Sequence, residues 1–85
     1  MPEVTMYATA TCPYCERARR LLKRKGVSYS EIRVDQDLTR WAEMEARSGR
    51  ATVPQIFIGD HHVGGYDDTA ALDAQGDLDL LLGLA

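Results

Sequence analysis

Three observations predict an α/β fold in one domain spanning residues 1–85. A period-2 strand pattern runs into a helix opened by proline. A second strand and a capped helix repeat that order. Two short apolar strands then flank a Gly-Asp turn. Val4, Met6 and Ala8 alternate with Thr5, Tyr7 and Thr9 as the first strand, which leads directly into Thr11-Cys12-Pro13-Tyr14-Cys15. Pro13 suits the first helical position, where its missing N–H is no loss. With Ala18, Leu21 and Leu22 as the apolar stripe, the spacing predicts a helix from Pro13 to Lys25. Lys23, Arg24 and Lys25 complement the negative end of its dipole, and Gly26 is the stop.

Val27 to Val34 reads as the second strand, and Asp37 caps a helix through Ser48 that Gly49 closes. A β-α-β-α opening makes the first two strands parallel, joined by a right-handed crossover. Gln55 to Ile58, the turn Gly59-Asp60 and His61 to Val63 form a hairpin. After Gly64-Gly65 a helix runs from Asp67 to Gly76, and Asp77 caps a last apolar segment, Leu78 to Leu84. The full order is β-α-β-α-β-β-α with a short extra C-terminal helix. Trp41 and Met44, three apart on the second helix, read as core, as do Phe57 and the isoleucines beside it.

Eighty-five residues, 45% of them hydrophobic, leave no room for a second domain. No run of about 18 apolar residues predicts a membrane span, and MPEVTMYATATC lacks the basic region and apolar core of a secretory signal. The expected protein is cytoplasmic and monomeric. In that compartment a lone cysteine pair points to redox or metal chemistry rather than to a structural disulfide. The net charge of −3 conceals an asymmetry: ten basic residues face seven acidic ones through Arg50, and six aspartates with no base follow. This reads either as a solvated dipolar surface or as a cleft with one positive and one negative wall, suited to a zwitterion. The acidic balance, without an aromatic-studded basic stripe, gives nucleic-acid binding no support.

Cys12 and Cys15 are the only cysteines. Three apart on a helical turn, their Cβ atoms are about 5 to 6 Å apart, close enough for a disulfide to form with little backbone movement. A structural zinc site needs two further ligands at fixed spacing. The chain offers only adjacent His61 and His62, which read as exposed turn residues. An inert buried pair is the competing reading, but a cysteine before a helix-starting proline is expected to be exposed. At that junction the unpaired N–H groups and the positive helix end favour the Cys12 thiolate, which is the form that attacks disulfides. Cys15, one turn further in, is the natural second thiol.

With CPYC at 12–15, TVPQIFI at 52–58 and GGYDD at 64–68, the chain resembles the dithiol glutaredoxins over essentially its full length, most closely the small bacterial ones. The resemblance implies a thioredoxin-like fold, a four-stranded mixed sheet flanked by helices. It implies a glutathione-dependent thiol–disulfide oxidoreductase acting on glutathionylated thiols and disulfide-containing proteins, with glutathione as reductant and no tightly bound cofactor. By similarity Pro54 is cis, and Val53 presents its backbone so that glutathione adds edge-on by main-chain hydrogen bonds. Thr52 flanks that contact and Tyr14 lines the groove. Asp67 and Asp68, at a helix start, hold the γ-glutamyl end, a role compatible with simple N-capping.

Two positions depart from the family pattern. Thr9 stands where the family usually has a Lys that pairs with the glycine carboxylate of glutathione, and Arg17 and Arg40 are the candidates to replace that charge. Tyr66 stands where close relatives tend to have Cys, and it either covers the bound glutathione or packs against the sheet. One rival function is a carrier in which Cys12 from two subunits and two glutathiones hold a 2Fe-2S cluster; Pro13 argues against it. The other is a redoxin reduced by thioredoxin reductase, against which Asp67 and Asp68 argue. The missing cation at position 9 implies weak glutathione binding, so Thr9→Lys is expected to lower the Michaelis constant for glutathione. An unchanged constant in steady-state assays counts against that reading.

Overall fold

Residues 2–84 are described by a computed structural model; Met1 and Ala85, the ends of the expected domain, lie outside the described residues. The elements are β1 (Val4–Ala8), α1 (Pro13–Arg24), β2 (Ser30–Arg33), α2 (Leu38–Ser48), β3 (Gln55–Ile58), β4 (His61–Gly64), α3 (Tyr66–Gln75) and α4 (Asp77–Leu82). The strands form one sheet in the order β2-β1-β3-β4. β1 runs parallel to β2 and antiparallel to β3, and β3 is antiparallel to β4, so the sheet is mixed.

Alternation along the two central strands sorts their side chains to opposite faces. Val4, Met6, Ala8, Ile56 and Ile58 join Cys15, Ala18, Leu21 and Leu22 of α1 and Leu78 and Leu82 of α4 in the larger core. Tyr7 and Phe57 turn the other way, to Val34 and to Met44 of α2. Helices thus cover both faces of the sheet. Each fully buried large apolar side chain contributes about 1.5 to 3 kcal/mol, so both layers are needed in a chain this small. Met44 is core as expected; Trp41 is half-buried, its indole N–H donating to Glu45.

The structure corrects four expectations. β2 begins at Ser30 rather than Val27, because its ladder with β1 runs only from Thr5, opposite Ser30, to Ala8, opposite Arg33. α3 begins at Tyr66, one residue before Asp67, with Gly65 as its N-cap. Asp77 is not a cap. Gly76 closes α3 and opens α4 at once, which makes Asp77 the first helical residue, and α4 stops at Leu82. Finally, His62 is not an exposed turn residue: the β3–β4 ladder shifts register between Ile56 and Phe57, which sets His62 opposite Phe57 with ring centroids 4.9 Å apart. Such a bulge re-aims side chains.

One ion pair ties the segment before Cys12 to the rest. Arg19 of α1 holds Glu31 of β2 through two bonds, of 2.9 and 2.8 Å, and its Nη2 also donates to the Thr9 carbonyl at 2.7 Å. The two side chains are 18% and 24% exposed, so solvent screens the pair little. The Arg19 hydrogen bonds hold the Glu31 carboxyl below its ordinary value despite partial burial. A carboxyl whose folded pKa is lowered stabilises the fold above its unfolded value, and that stability disappears as pH falls through the folded one. Glu31→Gln is therefore expected to cost about 1 to 3 kcal/mol at pH 7. In urea titrations the gap from wild type should begin to close below about pH 4.3, the ordinary glutamate value, and vanish on further acidification.

Candidate active site

Three segments distant in sequence meet at one end of the sheet because of strand direction. The C-terminal end of β1, the N-terminal end of β3 and the C-terminal end of β4 lie together, since Tyr7 pairs with Gln55 and Ile56 with Gly64. From them emerge the Cys12 loop, the Thr52-Val53-Pro54 segment and the start of α3.

Cys12 is the N-cap residue of α1, in extended conformation (φ −76°, ψ 122°), and Pro13 is the first helical residue. Its carbonyl accepts from Glu16 N–H at 3.1 Å. Its side chain makes no capping hydrogen bond. Cys12 Sγ lies 3.8 Å from the Val53 carbonyl, to which its S–H donates, and the Val53-Pro54 peptide bond is cis. Both thiols are free; Cys12 is half-buried, whereas Cys15 is 0% exposed. Burial pushes the Cys15 thiol up to about 11, opposed by a hydrogen bond from the Thr9 backbone and reinforced by neighbouring Cys12. The helix start has made two chemically unequal thiols.

Beside the cysteine pair is an open cleft of about 210 Å³. Tyr14, Thr52, Val53, Pro54, Tyr66, Asp67 and Asp68, all singled out from the sequence, line it, together with Gly65 and Arg50. Tyr14 is 48% exposed, with the Arg17 guanidinium 5.1 Å from its ring centre. Tyr66 lines the cleft and packs against the larger core. Asp68 takes the helix-capping role, its Oδ2 accepting from Gly65 N–H at 3.0 Å, and the same oxygen accepts from Arg50 Nη1 at 2.8 Å. Arg50, then Gly65 N–H, holds the Asp68 carboxyl below the usual carboxylate range.

The cation of the cleft is Arg50, which sequence reasoning did not single out. Arg40 is engaged by Glu43 at 2.9 Å and Arg17 by the Tyr14 ring. Arg50 is the last base in the chain, two residues before Thr52, and that position was the available signal.

The family model for glutaredoxin matches residues 4–63. Glutaredoxin 3 of Escherichia coli is 55% identical over 82 residues, which cover 96% of this chain and 99% of that protein. The chain belongs to the glutaredoxin family. A glutaredoxin of Pseudomonas aeruginosa is 54% identical, with 96% of this chain and 98% of that one covered. The solution structure of a Brucella melitensis glutaredoxin superposes with a TM-score of 0.87 at 51% identity, covering 99% and 91% of the two chains. The crystal structure of a buckwheat glutaredoxin–glutathione complex gives 0.89 at 29% identity, covering 96% and 77%. The fold is thioredoxin-like, and the chain is a thiol–disulfide oxidoreductase of the glutaredoxin family.

Within this glutaredoxin site Gly64 holds a specific place. Its φ is +117°, and a Cβ there would run into the Asp68 carboxylate. Gly59 also has positive φ (+59°) but meets nothing within 4 Å. Gly64→Ala is expected to lose about 1 to 3 kcal/mol from strain alone and to displace Asp68. Chemical denaturation should place it below Gly59→Ala; equal costs would mean that the Asp68 contact carries no weight.

Proposed function

We propose that this protein is a glutathione-dependent disulfide oxidoreductase that reduces glutathionylated thiols and protein disulfides through Cys12 and Cys15. The observation that carries the reading is the inequality of the thiols beside a cleft lined by Arg50, Asp67 and Asp68. In the first step the Cys12 thiolate attacks the glutathione sulfur of a mixed disulfide. The old S–S bond breaks, the substrate leaves as a thiolate that takes a proton, and Cys12 is left joined to glutathione. A second glutathione thiolate then attacks the glutathione sulfur of that bond, regenerating Cys12 and releasing oxidised glutathione.

With a protein disulfide, Cys12 forms the mixed disulfide with one substrate sulfur. Cys15 then loses its proton, attacks Cys12 Sγ and expels the reduced substrate, and two glutathiones reduce the Cys12–Cys15 bond. Burial keeps Cys15 protonated at neutral pH, so it does not compete with Cys12 for the first attack. Potentials of about −200 to −230 mV, usual for glutaredoxins, allow a cellular glutathione pool to drive the cycle.

Binding follows from the cleft lining. The Val53 main chain supports edge-on pairing with an extended tripeptide. The start of α3 offers backbone N–H groups to a carboxylate, and Asp67 or Asp68 offers a partner to an ammonium. Tyr14 and Tyr66 bound the groove. A coupled assay with glutathione, glutathione reductase and a small mixed disulfide tests the reading. Cys12→Ser should abolish turnover. Cys15→Ser should keep deglutathionylation and lose most reduction of two-thiol disulfides; loss of both activities would overturn the assignment of roles.

A further inference from the structure

Gln55, at the head of β3, is 0% exposed, yet its amide is fully engaged. Nε2 donates to the Thr52 carbonyl at 3.0 Å and to Thr52 Oγ1 at 3.2 Å, and Oε1 lies 2.8 Å from His62 Nε2. A carbonyl only accepts, so the amide nitrogen must be the end that faces Thr52. Oε1 therefore faces His62, and His62 Nε2 carries a proton. That holds for the neutral ring as for the imidazolium, so the direction of the bond does not depend on the charge of His62.

Hydrogen donation thus runs one way, from His62 to Gln55 to Thr52. The Thr52 hydroxyl, with a lone pair taken by Gln55, keeps its own proton for another acceptor. Thr52 is exposed and lines the cleft beside Arg50 and Val53. We propose that Gln55 and His62 are positioning residues that set the Thr52 hydroxyl as a hydrogen-bond donor to a carboxylate of the bound ligand. They touch no reacting atom. They give this wall of the cleft a polarity matched to an anionic group, in a chain that has Thr9 where the family usually has a Lys. The inference rests on the glutathione reading and adds to it which protein groups orient one wall of the site.

A double-mutant cycle in the glutathione-coupled assay tests it. Gln55→Glu keeps the shape and still accepts from His62, but it cannot donate to Oγ1, so the Thr52 hydroxyl turns back to donate into the protein. The expected result is a rise of about tenfold or more in the Michaelis constant for glutathione, the weight of one hydrogen bond to a charged group, with kcat little changed. In a Thr52→Val background, where no hydroxyl exists, Gln55→Glu should add no further rise. An unchanged Michaelis constant in Gln55→Glu, or the same rise in both backgrounds, overturns the proposal. If a buried carboxylate prevents folding, as a thermal melt would reveal, Gln55→Met runs the same cycle without the charge. Should wild type fail to use glutathione at all, the reading beneath falls and this one with it, and that is seen before any variant is made.

Discussion

The antiparallel pairing of β1 with β3 is the constraint on which the rest of the structure depends. Tyr7 opposite Gln55 and Val4 opposite Ile58 fix the register, and a slip of one residue would exchange the two faces of both strands. Because each face is buried against a different helix layer, Met6 and Ile56 on one side and Tyr7 and Phe57 on the other, no such slip is tolerated. The same register delivers the Cys12 loop and the Val53-Pro54 segment to one end of the sheet, where Cys12 Sγ stands 3.8 Å from the Val53 carbonyl. Core packing and site geometry are thus consequences of one pairing.

Around that pairing, charged groups fix segments that the core does not reach. Arg19 joins α1, β2 and the Thr9 carbonyl in a half-buried cluster that holds the approach to the cysteine pair. On the opposite face Arg47 donates to the Tyr7 hydroxyl at 2.9 Å and lies 4.1 Å over the Phe57 ring, while Tyr7 itself donates to Glu43. Lys25, at the end of α1, meets Asp73 at 2.5 Å and Asp79 at 2.8 Å, pulling the two C-terminal helices onto the first. These groups are only partly exposed, so their contacts escape much of the screening that holds a fully exposed ion pair to about 0 to 1 kcal/mol.

The charge asymmetry along the chain acquires a concrete form in the cleft. Arg50, the last base, meets Asp68 from the acidic half at 2.8 Å, and the two are 48% and 45% exposed. The sequence raised a two-walled cleft as one of two alternatives. The path of the chain after α2 brings Arg50 to the cleft, paired with Asp68, and leaves Arg40 with Glu43.

Local chemistry by itself determined the elements and the chemical class. Alternation, a proline after Cys12, an aspartate before Leu38 and glycines after the first two helices are short-range signals with short-range causes, and the elements they mark formed within a few residues of the expected ends. The inequality of the cysteines is equally local, since a helix start exposes one residue and turns the residue three later inward. What only tertiary structure decided depends on register. The bulge that turns His62 toward Gln55, the use of Asp68 by both Gly65 and Arg50, and the shortening of β2 to the residues that pair with β1 each require knowing which residue stands opposite which. Side-chain type constrains that correspondence, but the closed set of strand pairings selects it.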